Sequence, residues 1–299
     1  MMDMIKVGRI DFLNILPIYH YLDQYLKQIQ IVNQVPTTLN RMLKEGEIDV
    51  GPISAFSYAE NADQYMIFPD LSISSRGKVR SIFLFSKKPI TSLKHAKIAL
   101  TSTSATSNNL LKIILEKYYG YRPQYSVMAP DLDAMLCEHD AALLIGDDAF
   151  VDIQIYRLDE RKLYRYDLGE LWNELTGYSM TFAVWAVRRD AIQRDRSGMR
   201  DVFQAFITSK QRGLQHLDTI IEEAERRYKK GYRFWEEYYR GLIYDLHSDI
   251  AAGLEAFFAD AYECGFLQQP ISIEVWEGAN GETGAFDGQG TCRNSLIGS

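Results

Sequence analysis

Cysteine is scarce in this sequence: Cys137, Cys264 and Cys292 are its three, widely spaced and with no second Cys or His at ligand spacing. That excludes a disulfide framework and a structural zinc site, and it fits a reducing compartment. The five histidines, His20, His95, His139, His216 and His247, form no HExxH or comparable pair, and no GxGxxG, Walker loop or GxSxG elbow occurs. Metal, nucleotide and Ser-His-Asp chemistry therefore have no motif to carry them, and no metal or cofactor is expected. Positive charge is also in deficit, with 33 Lys and Arg against 40 Asp and Glu and a net charge of -7. This balance argues against nucleic acid as a partner; an acidic ligand has to be held by local dipoles and a few cations. No window approaches ~18 uncharged apolar residues, so neither a transmembrane helix nor a membrane partner is expected. The opening "MMDMIKVGRIDFLN" runs into a strand pattern with no export signal before it, and a cytoplasmic location is the expectation.

What is present is an ordinary globular composition, 46% hydrophobic and 24% charged over 299 residues, enough for roughly two domains. The first part alternates strand and helix: "IKVGRIDF", "ILPIYHYLDQYL", "QIQIVNQV", "TTLNRMLKEG", "IDVGPIS", followed by strands "MIFPDLSIS" and "VRSIFLFSK". That rhythm predicts an α/β fold with a mostly parallel sheet covered on both faces. From Lys97 a second unit repeats the style, with strands "KIALTS", "QYSVMA" and "AALLIGD" and helices between them. The apolar strand "MTFAVWAVRR" can carry the chain back, and two crossings imply a hinge. The expected lobes are 1–88 plus about 189–270, and 89–188, with 271–299 a flexible tail because it holds six of the 20 glycines without periodicity. Between Asp190 and Phe266 the pattern is helical, with Leu214, Leu217, Ile221, Ala224 and Tyr228 on one face. The run "EEAERRYKK" reads as a solvated face and the aromatic "YRFWEEYYRGLIYDL" as core.

In open α/β sheets ligands bind beyond the carboxyl ends of strands, which singles out five loops. Asn14, in "DFLNILP", is either a helix cap or a ligand contact. In "GPISAFSYA", Ser54 opens a helix whose amides can hold an anion. In "SISSRGKVRS", Ser74, Ser75, Arg76 and Ser81 offer hydroxyls and cations near the hinge, although an exposed edge strand explains the cations equally well. Ser and Thr fill six of the seven positions from Thr101 to Ser107, just before a helix. One hydroxyl suffices as a cap; the surplus suggests an anion site around Thr106 and Ser107. In "LLIGDDAF", Asp147 and Asp148 are open to three readings: general base, ligand to a substrate hydroxyl, or helix cap. Hydroxyls and helix starts facing a cleft between two lobes describe a clamp for a small anion.

Six segments, "GRIDFLNILPIYH", "VPTTLNRMLKEGEIDVGPISAFSYA", "SISSRGKVRSIFLFSKKPI", "LTSTSATSNNLLKIILEKYYG", "ALLIGDDAF" and "TGYSMTFAVWAVRR", together resemble the chorismate dehydratase family of the futalosine route to menaquinone. The resemblance runs from about residue 5 to 267 and keeps the family's order. It implies a two-lobed fold like the type II periplasmic binding proteins, with a central cleft, and loss of water from the dianion chorismate to give 3-[(1-carboxyvinyl)oxy]benzoate. It implies catalytic roles for Asn14, Ser81 and Asp147 and substrate contacts at Ser54, Ala55, Ser74, Ser75, Arg76, Thr106 and Ser107. The base is Asp147 or the substrate's own enolpyruvyl carboxylate, with Asn14 and Ser81 fixing the pose. Two alternatives have the same fold: the sister 1,4-dihydroxy-6-naphthoate synthase, whose histidine after a second-lobe strand is replaced here by "IGDDAF", and a non-catalytic anion-binding protein.

Overall fold

A computed structural model describes residues 4–26, 29–155 and 163–279. Four strands open the chain: β1 (Ile5–Arg9), β2 (Ile29–Asn33), β3 (Val50–Ser54) and β4 (Tyr65–Ser75). Helix α1 (Leu16–Tyr19) follows β1, α2 (Pro36–Glu45) follows β2 and α3 (Ala55–Glu60) follows β3. The second lobe holds β5 (Ile82–Ser86), β6 (Lys97–Thr101), β7 (Gln124–Met128), β8 (Ala141–Ile145) and β9 (Tyr164–Asp167). Its helices are α4 (Ala105–Ile113), running on as a π turn over Ile114–Tyr118, α5 (Leu132–Glu138), α6 (Gly146–Ile155) and α7 (Leu168–Thr176). Strand β10 (Met180–Arg188) returns to the first lobe, followed by α8 (Arg189–Arg194), α9 (Arg196–Gln215), α10 (Leu217–Arg227), α11 (Tyr232–Gly241), β11 (Leu242–Ile243) and α12 (Ser248–Glu263).

The first sheet has the order β11-β4-β10-β3-β1-β2 and the second β7-β6-β8-β5-β9. In the first, β1 lies parallel to β2 and β3, while β10 runs antiparallel to both β3 and β4. Glycine has a steric role at one crossing of this sheet: a Cβ on Gly51 would sit 3.0 Å from the Gly8 Cα. The one paired position of the two strands is Val7 with Val50, and the glycines that follow let their backbones touch.

Three expectations are corrected. Strand β5, placed in the first lobe by a boundary at 88, pairs with β8 and β9 in the second sheet, and β10, read as carrying the chain back but left in the second lobe by a boundary at 188, belongs to the first. Both are apolar on both faces, so periodicity carried no sign of which sheet each would join. The crossings lie at residues 76–81 and 177–179. The face from Leu214 to Tyr228 is not one helix: the backbone breaks at His216 (φ -110°, ψ 47°), and Leu214 is exposed. Finally, residues 271–279 are not loose. The Ile67 amide donates to the Glu274 carbonyl at 2.8 Å, and the Trp276 amide donates to the Ile67 carbonyl at 2.9 Å. Trp276 is buried and stacks on Phe68, ring centroids 5.5 Å apart, so one aromatic anchor does what periodicity did not announce. The rest of the expected tail, with Cys292, lies outside the described residues.

Candidate functional site

The two lobes meet where the loops after β1, β3, β6 and β8 face each other. Phe56, in the first turn of α3, donates its amide to Thr106 Oγ1 of α4 at 2.9 Å, and both residues are buried. On the other side of the cleft Asp147, in the first turn of α6, accepts the Leu13 amide at 3.3 Å. The Phe12 ring packs against Gly146, whose φ of 58° and whose approach to the ring, 3.2 Å from a Cβ built there, both favour glycine. The Gly146 amide in turn donates to the Ser81 carbonyl at 2.7 Å. Asn14, Ser81 and Asp147 are thereby brought to one place, although their residues come from the first lobe, the crossover and the second lobe.

Local structure explains each placement. Asn14 stands on a 3₁₀ turn, Leu13–Ile15, and the Leu13 carbonyl accepts the Tyr239 hydroxyl at 3.1 Å. Asn14 Oδ1 is buried and has no hydrogen-bond partner among the described residues. Ser81 follows Arg80, which has a φ of 61°, and that strained residue is held by Asp167: the two carboxylate oxygens accept the amides of Val79 (3.1 Å), Arg80 (2.7 Å), Gly169 (2.9 Å) and Glu170 (3.2 Å). Asp167 thus caps α7 and fixes the crossover together.

The hydroxyl-rich segment divides its work. Ser104, not Thr106, caps α4 by accepting the Ser107 amide at 3.1 Å, and Ser107 Oγ accepts the Ser104 hydroxyl at 3.0 Å. Thr101 and Thr103 bond each other at 2.8 Å, and Thr106 reaches across the cleft. Ser54 caps α3 through the Ser57 amide (3.2 Å) and receives Asn40 Nδ2 (3.3 Å), with Ala55 buried beside it. Ser74 is engaged within the first sheet, hydroxyl to hydroxyl with Ser72 and Thr181 at 2.9 Å each, and Ser75 donates to the Gly77 carbonyl at 3.0 Å. Arg76 points to solvent and pairs with Asp249, so the structure does not bring it into the cluster.

Three tyrosines that the sequence pattern assigned to a helical face or to core belong to this neighbourhood. Tyr239 holds the Asn14 turn, Tyr238 is buried with its hydroxyl toward Ser81, and Tyr228 faces Asp147. Adjacent buried tyrosines on one helix were the available signal, because their hydroxyls need partners. Burial pushes Asp147 up to about 6, against the pull of the Leu13 amide and of Arg227, while Asp148 and Asp11 add to the rise. Burial also raises Asp148 and takes Tyr228 up to about 12, the latter helped by the charges of Asp147 and Asp148. Among the described residues no group of three or more His, Cys, Asp or Glu is placed to hold a metal ion. The arrangement can bind an anion, orient it with amide and hydroxyl groups, and offer one carboxylate that titrates near neutrality.

Comparison with known proteins fits this geometry. The chain is 32% identical over 257 residues to the chorismate dehydratase of Thermus thermophilus, covering 82% of this chain and 91% of that protein. It is 27% identical over 182 residues to the chorismate dehydratase of Campylobacter jejuni, covering 59% of this chain and 64% of that one. Among solved structures, a protein from Archaeoglobus fulgidus superposes with a TM-score of 0.71 at 22% identity, over 88% of this chain and 98% of that one. The periplasmic aliphatic sulphonate binding protein of Escherichia coli gives 0.65 at 15% identity, over 98% of each. The fold is therefore the two-lobed periplasmic-binding-protein type II architecture. The menaquinone biosynthesis family profile matches residues 5–263, and the chain belongs to that family.

Proposed function

We propose that this protein is a chorismate dehydratase, a hydro-lyase that removes water from chorismate to give 3-[(1-carboxyvinyl)oxy]benzoate, in a cytoplasmic setting. The observation that carries this reading is the convergence of Asn14, Ser81 and Asp147 at one cleft in a chain 32% identical to a chorismate dehydratase over most of its length. The substrate is a small dianion. In this reading one carboxylate lies at the start of α3, by Ser54 and Ala55, and takes over the Phe56 amide from Thr106. The other lies by Thr106 and Ser107 at the start of α4.

The reaction needs orientation more than machinery. A base takes the proton from the ring carbon that bears the enolpyruvyl ether. The electron pair of that C–H bond becomes the new ring double bond, the neighbouring C–O bond breaks, and the departing hydroxyl takes up the proton that the base removed, so that one water is lost and the base is restored. Aromatisation makes the sum downhill. The substrate's own enolpyruvyl carboxylate acts as base, and Asn14 and Ser81 hold it over the proton. Asn14 suits that role because its amide carries both functions: Nδ2 can donate to the carboxylate, while the buried Oδ1, without a partner among the described residues, can accept from the substrate's ring hydroxyl. The test is incubation with chorismate, followed by chromatography and mass. A product lighter by one water, aromatic and retaining the enolpyruvyl group, supports the reading. Unchanged chorismate that raises the melting temperature points instead to a binding protein, and no effect to the sister synthase's substrate.

A further inference from the structure

We infer that Asp147 is a positioning residue for Asn14: its carboxylate crosses the cleft to accept the Leu13 amide and thereby sets the turn on which Asn14 stands. Asn14 Oδ1 has no partner among the described residues, so the aim of that oxygen follows the backbone of Leu13–Ile15. Both polar ends of Leu13 are held, the amide by Asp147 from the second lobe and the carbonyl by Tyr239 from α11. The residue before Asp147 reaches the other candidate: the Gly146 amide bonds the Ser81 carbonyl at 2.7 Å, and Phe12 closes over Gly146. Two consecutive residues of the second lobe thus fix Asn14 and Ser81 relative to each other, and they do so only when the lobes are together. An acceptor is all this role requires. Asparagine keeps an acceptor oxygen at that position, whereas it cannot take a proton, so the role separates from that of a general base.

The charged and titratable groups around Asp147 are Asp148 on its own helix, Asp11 beyond β1, Arg227 and Tyr228 at the end of α10, and Tyr238 and Tyr239 on α11. Arg227 is already paired with Asp11 and Glu223, and it remains as a neighbour in every variant.

The turnover half of the inference rests on the dehydratase reading; the contact itself does not. The full chain is labelled with 15N-leucine, the Leu13 signal is identified by its loss in Leu13→Met, and Asp147→Asn and Asp147→Ala are compared with wild type. The Leu13 amide is expected to shift as the pH passes through about 6, and not to shift in either variant. With chorismate, Asp147→Ala is expected to lose roughly 10- to 100-fold in kcat with little change in KM, as for a misplaced reacting group. Asp147→Asn should restore turnover to within about threefold of wild type, because only the charge assistance of one hydrogen bond is lost. An Asn variant as impaired as the Ala variant overturns the inference in favour of proton transfer by Asp147. An Ala variant with wild-type turnover, or a Leu13 amide indifferent to Asp147, overturns it outright. Inert wild-type protein whose Leu13 amide still follows Asp147 upholds the contact and removes the dehydratase reading instead.

Discussion

An ordinary aspartate titrates near ~4, and holding one near 6 is a thermodynamic statement about the fold. Burial raises Asp147 to about 6, so the folded protein binds that proton more tightly than the unfolded chain does. The contribution to stability is then fully present below about pH 4 and is lost as the pH rises through 6. Near pH 7.5 the ionised carboxylate costs the fold on the order of 3 kcal/mol, set by the two-unit displacement. Asp147→Asn is accordingly expected to melt higher than wild type at pH 7.5, and the gap to close by pH 4; scanning calorimetry across that range checks it. A gap that stayed constant with pH would mean that Asp147 is solvated. The candidates themselves were legible because Asn14, Ser54, Thr106 and Asp147 each follow an apolar strand at its carboxyl end. Tyr238 and Tyr239 were legible only as neighbouring hydroxyls in need of partners, since a tyrosine that packs and a tyrosine that points its hydroxyl at a site look alike in one dimension.

At the scale of elements, the Asn14 turn runs directly into α1, and α1 is seated on the long helix α9. The contact is backbone to backbone: a Cβ on Gly213 would lie 2.0 Å from the Pro17 carbonyl oxygen. Ser209, one turn earlier, donates to the Ile18 carbonyl at 2.6 Å and fixes the same approach. Gly213→Ala therefore has to push α1 away. Alanine's better helix propensity returns only ~1 kcal/mol, whereas overpacking against backbone costs about 3 kcal/mol or more. The variant is expected to lower the urea midpoint, and its kcat on chorismate should fall even where it is fully folded, because Asn14 moves with α1. A wild-type midpoint would show that the helices separate freely. No periodicity in α9 pointed to this glycine, since its necessity lies in a partner nearly two hundred residues away. By contrast α2 could be placed from Pro36 and Gly46 alone, which start and stop it as local rules dictate. Strand and helix rhythm was readable wherever the cause was local. The interruption of the helix expected over "ILPIYHYLDQYL", which forms only α1 and a separate 3₁₀ turn at Leu22–Gln24, the His216 break and the Trp276 anchor were not, because tertiary packing decides them.

For the whole molecule, the lobes are held together by an apolar seam, in which Phe150 of α6 packs edge-on against Trp235 and Tyr238 of α11 and Trp172 of α7 against Phe257 of α12, and by polar contacts that cross it. Besides Asp147 with Leu13, these include Phe56 with Thr106 and a clasp in which Lys117 and Tyr118, on the π turn after α4, reach Asp260 of α12 at 2.5 and 2.6 Å. The crossover at 76–81 is pinned by Asp167, so opening means rotation about a fixed segment rather than loosening of either sheet. Thr106 is the contact whose removal discriminates between closed and open. Replacing it by valine leaves the Phe56 amide buried and unpaired in the closed form, at a cost of about 1–3 kcal/mol, while water supplies the partner in the open form. Thr106→Val should therefore shift the balance toward open by roughly 10-fold or more. Small-angle scattering of the free protein is expected to give a larger radius of gyration for the variant than for wild type. Saturating chorismate should bring it back, because a carboxylate at the start of α3 satisfies the Phe56 amide as the threonine did. Identical scattering from the two free proteins would assign closure to the aromatic seam and the Asp260 clasp, and the hydroxyl at Thr106 would then serve the substrate alone.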